Sequence, residues 1–141
     1  MVWRTEAIAL LSAAGVRWVN ISSHGSNNDR CDPDSCRDVL IANCTFDTGG
    51  DCIAIKSGKN ADGRRVRVPS ENIIVHHCVM KDGHGGVVVG SENSGGVRNV
   101  FAKDCLIDSP NLQRALRLQS NAERGGFIVS VCGQNQPGSC G

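Results

Sequence analysis

Three short polar clusters interrupt the apolar segments of this chain: Asn27-Asn-Asp-Arg-Cys-Asp32, Thr48-Gly-Gly-Asp51 and Gly83-His-Gly-Gly86, with Arg117 further on. Carboxylates and imidazole are the side chains that most often move protons in catalysis. A guanidinium holds anionic groups through charge-assisted hydrogen bonds. Gathered in one place, they are equipment for acid–base chemistry on a substrate that carries negative charge. Taken singly, each has a plainer reading. Asp29 and Asp32 can bond their own backbone in a turn, and Asp51 beside two glycines reads the same way. A histidine between glycines, as at His84, is harder to place in a core, because glycine leaves it exposed.

The elements that must bring these residues together form a repeat. Asp38-Val-Leu-Ile-Ala-Asn-Cys44, Asn72-Ile-Ile-Val-His-His-Cys78 and Asn99-Val-Phe-Ala-Lys-Asp-Cys105 align as short apolar strands with cysteine at the same place. A second strand follows each: Ile53-Ala-Ile-Lys-Ser-Gly58, Val87-Val-Val-Gly-Ser-Glu92 and Leu116-Arg-Leu-Gln-Ser-Asn121. Trp18-Val-Asn-Ile21 begins one more turn. The unit recurs every roughly 27 to 34 residues and is punctuated by Gly, Asn, Asp and Ser. Apart from a weak stretch near Ala7 to Ala14, no segment keeps a helical apolar period, which excludes helical solenoids. Strands recurring without intervening helices predict an all-β parallel solenoid whose coils bury their inner faces only by stacking. Equivalent positions then line one face, so Asp51 and His84, about one coil apart, are expected to be neighbours, with Arg117 extending the line.

Composition sets the outer bounds. The chain has 141 residues, 40% hydrophobic and 21% charged, which fits one globular domain and excludes a disordered tail or a coiled coil. Fifteen cations against fourteen anions leave +1, so bulk charge names no partner. Aromatic residues make up only 4%, leaving Val, Ile, Leu, Ala and Cys to fill the core. No run approaches the roughly 18 apolar residues of a membrane span. The segment Met1 to Ala14 is interrupted by Glu6 and is not read as a signal peptide.

Eight cysteines suit either a disulfide-bearing secreted protein or a set of buried thiols. No pair has the C-x-x-C spacing of a structural zinc site. Cys44, Cys78 and Cys105 are expected as an inward ladder of free thiols, and Cys31 with Cys36 as the better disulfide pair. Lys56, Lys59, Arg64, Arg65 and Arg67 form a basic stretch, read first as a solvated loop between coils and otherwise as a contact for an anionic polysaccharide. No aromatics interleave with these cations, so nucleic acid is not an expected partner. Asn20-Ile-Ser22 and Asn43-Cys-Thr45 match the glycosylation sequon, a pattern common by chance.

Asn27-Asn-Asp29, Thr48-Gly-Gly-Asp-Cys-Ile-Ala-Ile-Lys-Ser-Gly58, Gly83-His-Gly85 and Arg117-Leu-Gln119 resemble, in order and spacing, the four signature motifs of family 28 of the glycoside hydrolases, the polygalacturonases. The resemblance runs from about Trp18 to Ile128, and Asp82 to Glu92 is most similar to the bacterial and plant-type exo-acting branch. It implies a right-handed parallel β-helix that hydrolyses α-1,4-linked galacturonate in pectin with inversion. Inversion needs an acid on the leaving oxygen and a base that activates water on the opposite face. The resemblance implies Asp29 and Asp51 as the water-activating base assembly, His84 as the family's histidine, and Arg117 as the substrate-binding arginine, with Gln119 and Lys56 as further substrate contacts. It implies no metal or other cofactor, polygalacturonate as partner, a monomer, and an extracellular, periplasmic or cell-wall location.

Three positions depart from the pattern. The family's general-acid aspartate falls on Gly50, its lysine on Gln119, and the glycine after Asn-x-Asp on Arg30. General acid catalysis is worth about 10²–10⁴-fold, so impaired turnover is expected, or a groove that binds without cleaving, or an inactive fragment. Asp32 and Asp47 are the nearby carboxyls able to replace the acid. The solenoid is expected as four to five coils, truncated at both ends. Residues 1–17 are expected as a lead-in, 18–128 as the partial β-helix, and 129–141 as a disordered tail.

Overall fold

A coil of this chain has one apolar side and no helix to cover it, so its strands find cover only in the coils before and after. The computed structural model describes residues 8–10, 14–17 and 20–134. In chain order the strands are β1 (Ile8–Leu10), β2 (Ala14–Arg17), β3 (Asn20–Ser23), β4 (Cys31–Pro33), β5 (Arg37–Ala42), β6 (Thr45–Thr48) and β7 (Asp51–Ile55). After the helix α1 (Asn60–Val66) come β8 (Ser70–His76), β9 (Val79–Asp82), β10 (Gly85–Val89), β11 (Val97–Lys103), β12 (Leu106–Ile107), β13 (Leu116–Leu118) and β14 (Ile128–Gln134). Every third strand joins the same sheet: β1-β4-β7-β10-β13, β2-β5-β8-β11-β14 and β3-β6-β9-β12. All pairings are parallel. The chain is therefore a parallel β-helix, and among the described residues no helix is long and apolar enough to cross a membrane.

The register places like on like. Val39, Ile73, Val100 and Val131 align through β5, β8, β11 and β14, and the first three are fully buried. The buried apolar set is Val, Ile, Cys and Ala with Phe46 and Met80, and leucine is absent from it among the described residues. β-Branched side chains suit a pleated surface whose neighbours repeat at each rung. Cys44 and Cys78 are buried and Cys105 half-buried, none of the three in a disulfide, as an inward ladder requires.

A second ladder shapes the corners. Asp38, Asn72, Asn99 and Ser130 all take left-handed backbone, with φ of 57, 57, 56 and 53°. They occupy equivalent places in β5, β8, β11 and β14. Asn and Asp tolerate this region better than other residues with a β-carbon. Here they also bond along the stack: Asn72 Nδ2 donates to Asp38 Oδ1 at 2.9 Å, and Asn99 Nδ2 to Asn72 Oδ1 at 3.1 Å. Asn43, His77 and Asp104, each just before a ladder cysteine, repeat the left-handed turn at 56, 53 and 51°. Strand, kink and cysteine thus recur as one unit.

The structure differs from the sequence reading in four places. Strands β1 and β2 lie within the expected lead-in, and β14 occupies much of the stretch read as a tail. That rung is hard to see because Ser130 replaces the ladder amide and the repeat cysteine is missing: the sixth residue after Ser130 is Gln136. The basic stretch holds a seven-residue helix, too short for a periodic signal and interrupted by Gly63, which is buried against Gly58; a β-carbon on Gly63 would lie 2.6 Å from the Gly58 carbonyl carbon. Finally, Cys31 and Cys36 are not joined in a disulfide. Both are core residues, and the Cys36 thiol donates to the Asp34 carbonyl oxygen at 3.2 Å. Burial pushes the Cys31 thiol up, and Cys52 up to about 12, so both stay protonated.

Asn72→Ala removes both ladder hydrogen bonds and forces a β-carbon without a compensating amide into left-handed backbone. The expected loss is about 1–3 kcal/mol in urea unfolding. Asn72→Gly restores the backbone freedom and is expected to recover roughly half of it. Equal losses in the two variants would rule out the backbone component.

Candidate active site

The turn Thr48-Gly-Gly delivers the chain into β7 at Asp51, Gly83-His84 delivers it into β10, and β13 carries Arg117. In the sheet, Asp51 pairs with Gly85, while Ala54, Val88 and Arg117 share a row. The turn before β4 is tied to this stack by side chains: the Thr48 hydroxyl donates to the Asn28 carbonyl and receives Gly50 N–H at 3.1 Å. Asp51 N–H donates to Asp29 Oδ1 at 2.9 Å, and Arg30 N–H to Asp51 O at 3.1 Å. One coil on, His84 N–H donates to Gly50 O at 2.8 Å. The result is an open cleft of about 350 Å³ lined by Asn27, Asp29, Asp51, Lys56, His84, Arg117 and Gln119, with Gly90, Ser91 and Glu92 also in its lining. All six residues singled out from sequence for catalysis or substrate contact reach it. Glu92, which the sequence reading did not select as a site residue, is a third carboxylate in this lining, and its Oε1 meets Lys59 Nζ at 3.5 Å.

Charges inside the cleft are strongly coupled. The Lys56 ammonium lies 3.1 Å from Asp29 Oδ2 and 2.8 Å from Asp32 Oδ2, with little exposure on any of the three side chains. Burial pulls the ammonium down, but Asp32 and then Asp29 outweigh it and hold it above its ordinary value. An ammonium so engaged by two carboxylates is placed to orient Asp29. Asp51 is held above the usual carboxylate range, first by burial and next by Asp29; Arg117, His84 and Lys56 pull it back. Its Oδ1 makes no hydrogen bond.

Arg117 and Gln119 act as a pair. With its amide oxygen turned to the guanidinium, Gln119 accepts from Nη2 at 2.8 Å and Nη1 at 2.9 Å. Gln119 O in turn accepts from Asn93 Nδ2 at 3.0 Å. A lysine at 119 would add a second cation; glutamine supplies instead a neutral acceptor that orients the first one. The close approach of this segment requires Gly90, whose φ is +102° and where a β-carbon would fall 2.0 Å from Gln119 O.

Gly50 has a backbone conformation open to any residue, but no room for one. A β-carbon there would lie 2.6 Å from Asn28 N, 2.7 Å from Asn28 C and 2.8 Å from Asp29 Oδ1. The turn carrying Asp29 closes over the position where the motif resemblance expects an aspartate. Neither nearby carboxyl fills the gap. Asp32 is tied to Lys56 and is not part of the cleft wall. Asp47 sits on β6, in a different sheet, 3.1 Å from His24 Nε2. Arg30 is fully buried beside the turn without left-handed backbone.

Asp32 is pushed up to about 6 by burial against the pull of Lys56, with Asp29 and Asp51 raising it further. Between its ordinary 3.8 and about 6 the folded chain binds the proton more tightly than the unfolded one. Its stabilising contribution is therefore full below that window and is lost as pH climbs through it. Asp32→Asn, the isostere of the neutral acid, should remove this dependence. From pH 4 to pH 7 the wild type is expected to lose on the order of 1–3 kcal/mol relative to the variant in urea unfolding. Parallel pH profiles for the two proteins would contradict the burial of this carboxyl.

Comparison with known proteins agrees with the geometry. The model of glycosyl hydrolases family 28 matches residues 11–135. A probable polygalacturonase of Vitis vinifera is 31% identical over 106 residues, covering 74% of this chain and 21% of its own length. An exo-poly-alpha-D-galacturonosidase of Dickeya chrysanthemi is 29% identical, covering 79% of this chain and 18% of its own. The crystal structure of a hyperthermoactive exopolygalacturonase from Thermotoga maritima superposes with a TM-score of 0.77 at 39% identity, over 96% of this chain and 35% of that one. The chain thus spans about a fifth of the length of the curated relatives it matches. A parallel β-helix with its motif residues stacked in one cleft, and a family match over nearly the whole chain, make this protein a member of glycosyl hydrolases family 28.

Proposed function

We propose that the cleft binds α-1,4-linked galacturonate of pectin and that its chemistry is inverting hydrolysis, reduced by the loss of the general acid at position 50. The observation that carries this reading is the convergence of Asp29, Asp51, His84 and Arg117 on one cleft. Arg117, held by Gln119, faces the uronate carboxylate. Asp51, and Asp29 paired with Lys56, take the proton from the attacking water. His84, carried on Gly50 O, sits beside them and orients the sugar. With glycine at position 50 the departing oxygen has no carboxyl to protonate it from the family position, which is worth about 10²–10⁴-fold. Work on pectin places the protein outside the cytoplasm, in the periplasm, cell wall or medium.

A second reading, a non-catalytic binder of anionic polysaccharide, is favoured by one specific feature: the turn at Asn28 fills the space of the missing side chain. In that reading the groove has adapted to the loss and retains only recognition.

The test is reducing-end release from polygalacturonate by the wild type, Asp51→Asn and Gly50→Asp, with thermal unfolding measured for each. The wild type is expected to turn over slowly and Asp51→Asn not at all. Gly50→Asp is expected to gain about 10²-fold or more if it keeps a cooperative transition, since Asn28 must shift to admit it. Unchanged release by Asp51→Asn would remove Asp51 from the mechanism. Retention on polygalacturonate without release, in the wild type and in a folded Gly50→Asp, would favour the binder.

A further inference from the structure

Around the corner from the cleft, the segments following β7, β10 and β13 pile up on one flank. They enclose a second recess of about 420 Å³, lined by Arg64, Arg67, Arg98 and Phe127 with Pro69, Ser94, Gly95 and Gly125. No carboxylate belongs to this lining. Arg64 is fixed across the flank: its Nη1 donates to the carbonyls of Glu123 at 2.8 Å and Arg124 at 3.2 Å. Arg67 Nε donates to the Arg64 carbonyl at 3.0 Å. Among the described residues neither guanidinium meets a carboxylate, and Arg98 alone has one, Glu71. Phe127 is 45% exposed. Its ring lies against Gly96, where a β-carbon would fall 2.3 Å from Cε1, so the glycine holds the ring at the recess.

Cations anchored by main-chain carbonyls and lacking counter-ions are preorganised for an anion, because their side-chain entropy is already spent and no internal salt bridge must break. An exposed ring beside them adds a flat apolar surface, which suits the carbon face of a sugar better than a bare phosphate or sulfate. The loop Gly90–Gly95 is shared: Gly90, Ser91 and Glu92 line the cleft, while Ser94 and Gly95 line the recess. We infer that this flank is a second binding site for a carboxylate-bearing polysaccharide, an accessory site that holds polyuronate beside the cleft. The ligand class rests on the reading of the cleft given above. The basic stretch is then more than a solvated loop, since Arg64 ties α1 to the segment before β14.

Affinity electrophoresis in gels containing polygalacturonate, dextran sulfate or neutral dextran, at several salt concentrations, tests this with Arg64→Gln/Arg67→Gln, Phe127→Ala and Arg117→Ala. Glutamine preserves a donor to the carbonyls, and Phe127→Leu replaces Phe127→Ala if the latter loses its cooperative unfolding. Arg64→Gln/Arg67→Gln is expected to weaken retention on polygalacturonate about tenfold and to flatten its salt dependence. Phe127→Ala should weaken retention on polygalacturonate but not on dextran sulfate, and Arg117→Ala should leave part of the binding intact. Wild-type retention by Arg64→Gln/Arg67→Gln, with all binding lost in Arg117→Ala, overturns the flank site and leaves the cleft reading standing. Binding lost in Arg64→Gln/Arg67→Gln and untouched in Arg117→Ala supports the flank and overturns the cleft reading. Equal losses on dextran sulfate and polygalacturonate, with Phe127→Ala silent, overturn the ligand class, leaving a patch for any polyanion.

Discussion

Each coil of this protein can shield its apolar inner face only with the coil above and the coil below, and their hydrogen bonds run along the same axis. Stability is therefore a sum of rung-on-rung contacts, and any residue that fits one rung must fit its neighbours. This explains the narrow core vocabulary of Val, Ile, Cys and Ala. It also explains why the corners repeat left-handed backbone at Asp38, Asn72, Asn99 and Ser130: a corner that turned differently in one coil would throw the next strand out of register.

The same stacking builds the candidate site. Because β7, β10 and β13 lie side by side in register, residues far apart in the chain meet across one sheet. The acidic centre is held by exchange rather than by isolation. Lys56 binds Asp29 and Asp32, the Asp51 backbone binds Asp29, and Gln119 binds Arg117. An ion pair within such a network is costly to break from one side only, since the remaining charge stays buried. The departures from the family pattern sit inside this network and are accommodated by it. Glutamine at 119 serves the arginine, and glycine at 50 is enclosed by the turn of Asn28.

Much of the fold could be read from the chain because a solenoid writes its geometry as a period. Three cysteine-terminated strands and their partners gave the parallel stack and the inward thiols of Cys44, Cys78 and Cys105. Where a rung departed from that formula it escaped notice. β14 has no cysteine at the repeat position, and α1 is a single short excursion with a glycine in its middle. The pairing expected for Cys31 and Cys36 failed for a related reason: closeness in sequence says little about direction, and both side chains belong to the core.

For the site, the motifs and the repeat together picked out Asp29, Asp51, His84 and Arg117, which line one cleft. The coils differ in length, however, so Asp51 pairs with Gly85 while Arg117 falls in the row of Ala54 and Val88 instead of continuing the line. Contacts across coils were not encoded that way. The double engagement of Lys56, the presence of Glu92 in the cleft lining, and the recess framed by Arg64, Arg67 and Phe127 all depend on how loops of unequal length fold back between strands. The sequence by itself determined the repeat, and with it which residues share a face. Only the tertiary structure decided which of those residues touch, because side-chain reach and loop path are set by packing against neighbours that no local pattern names.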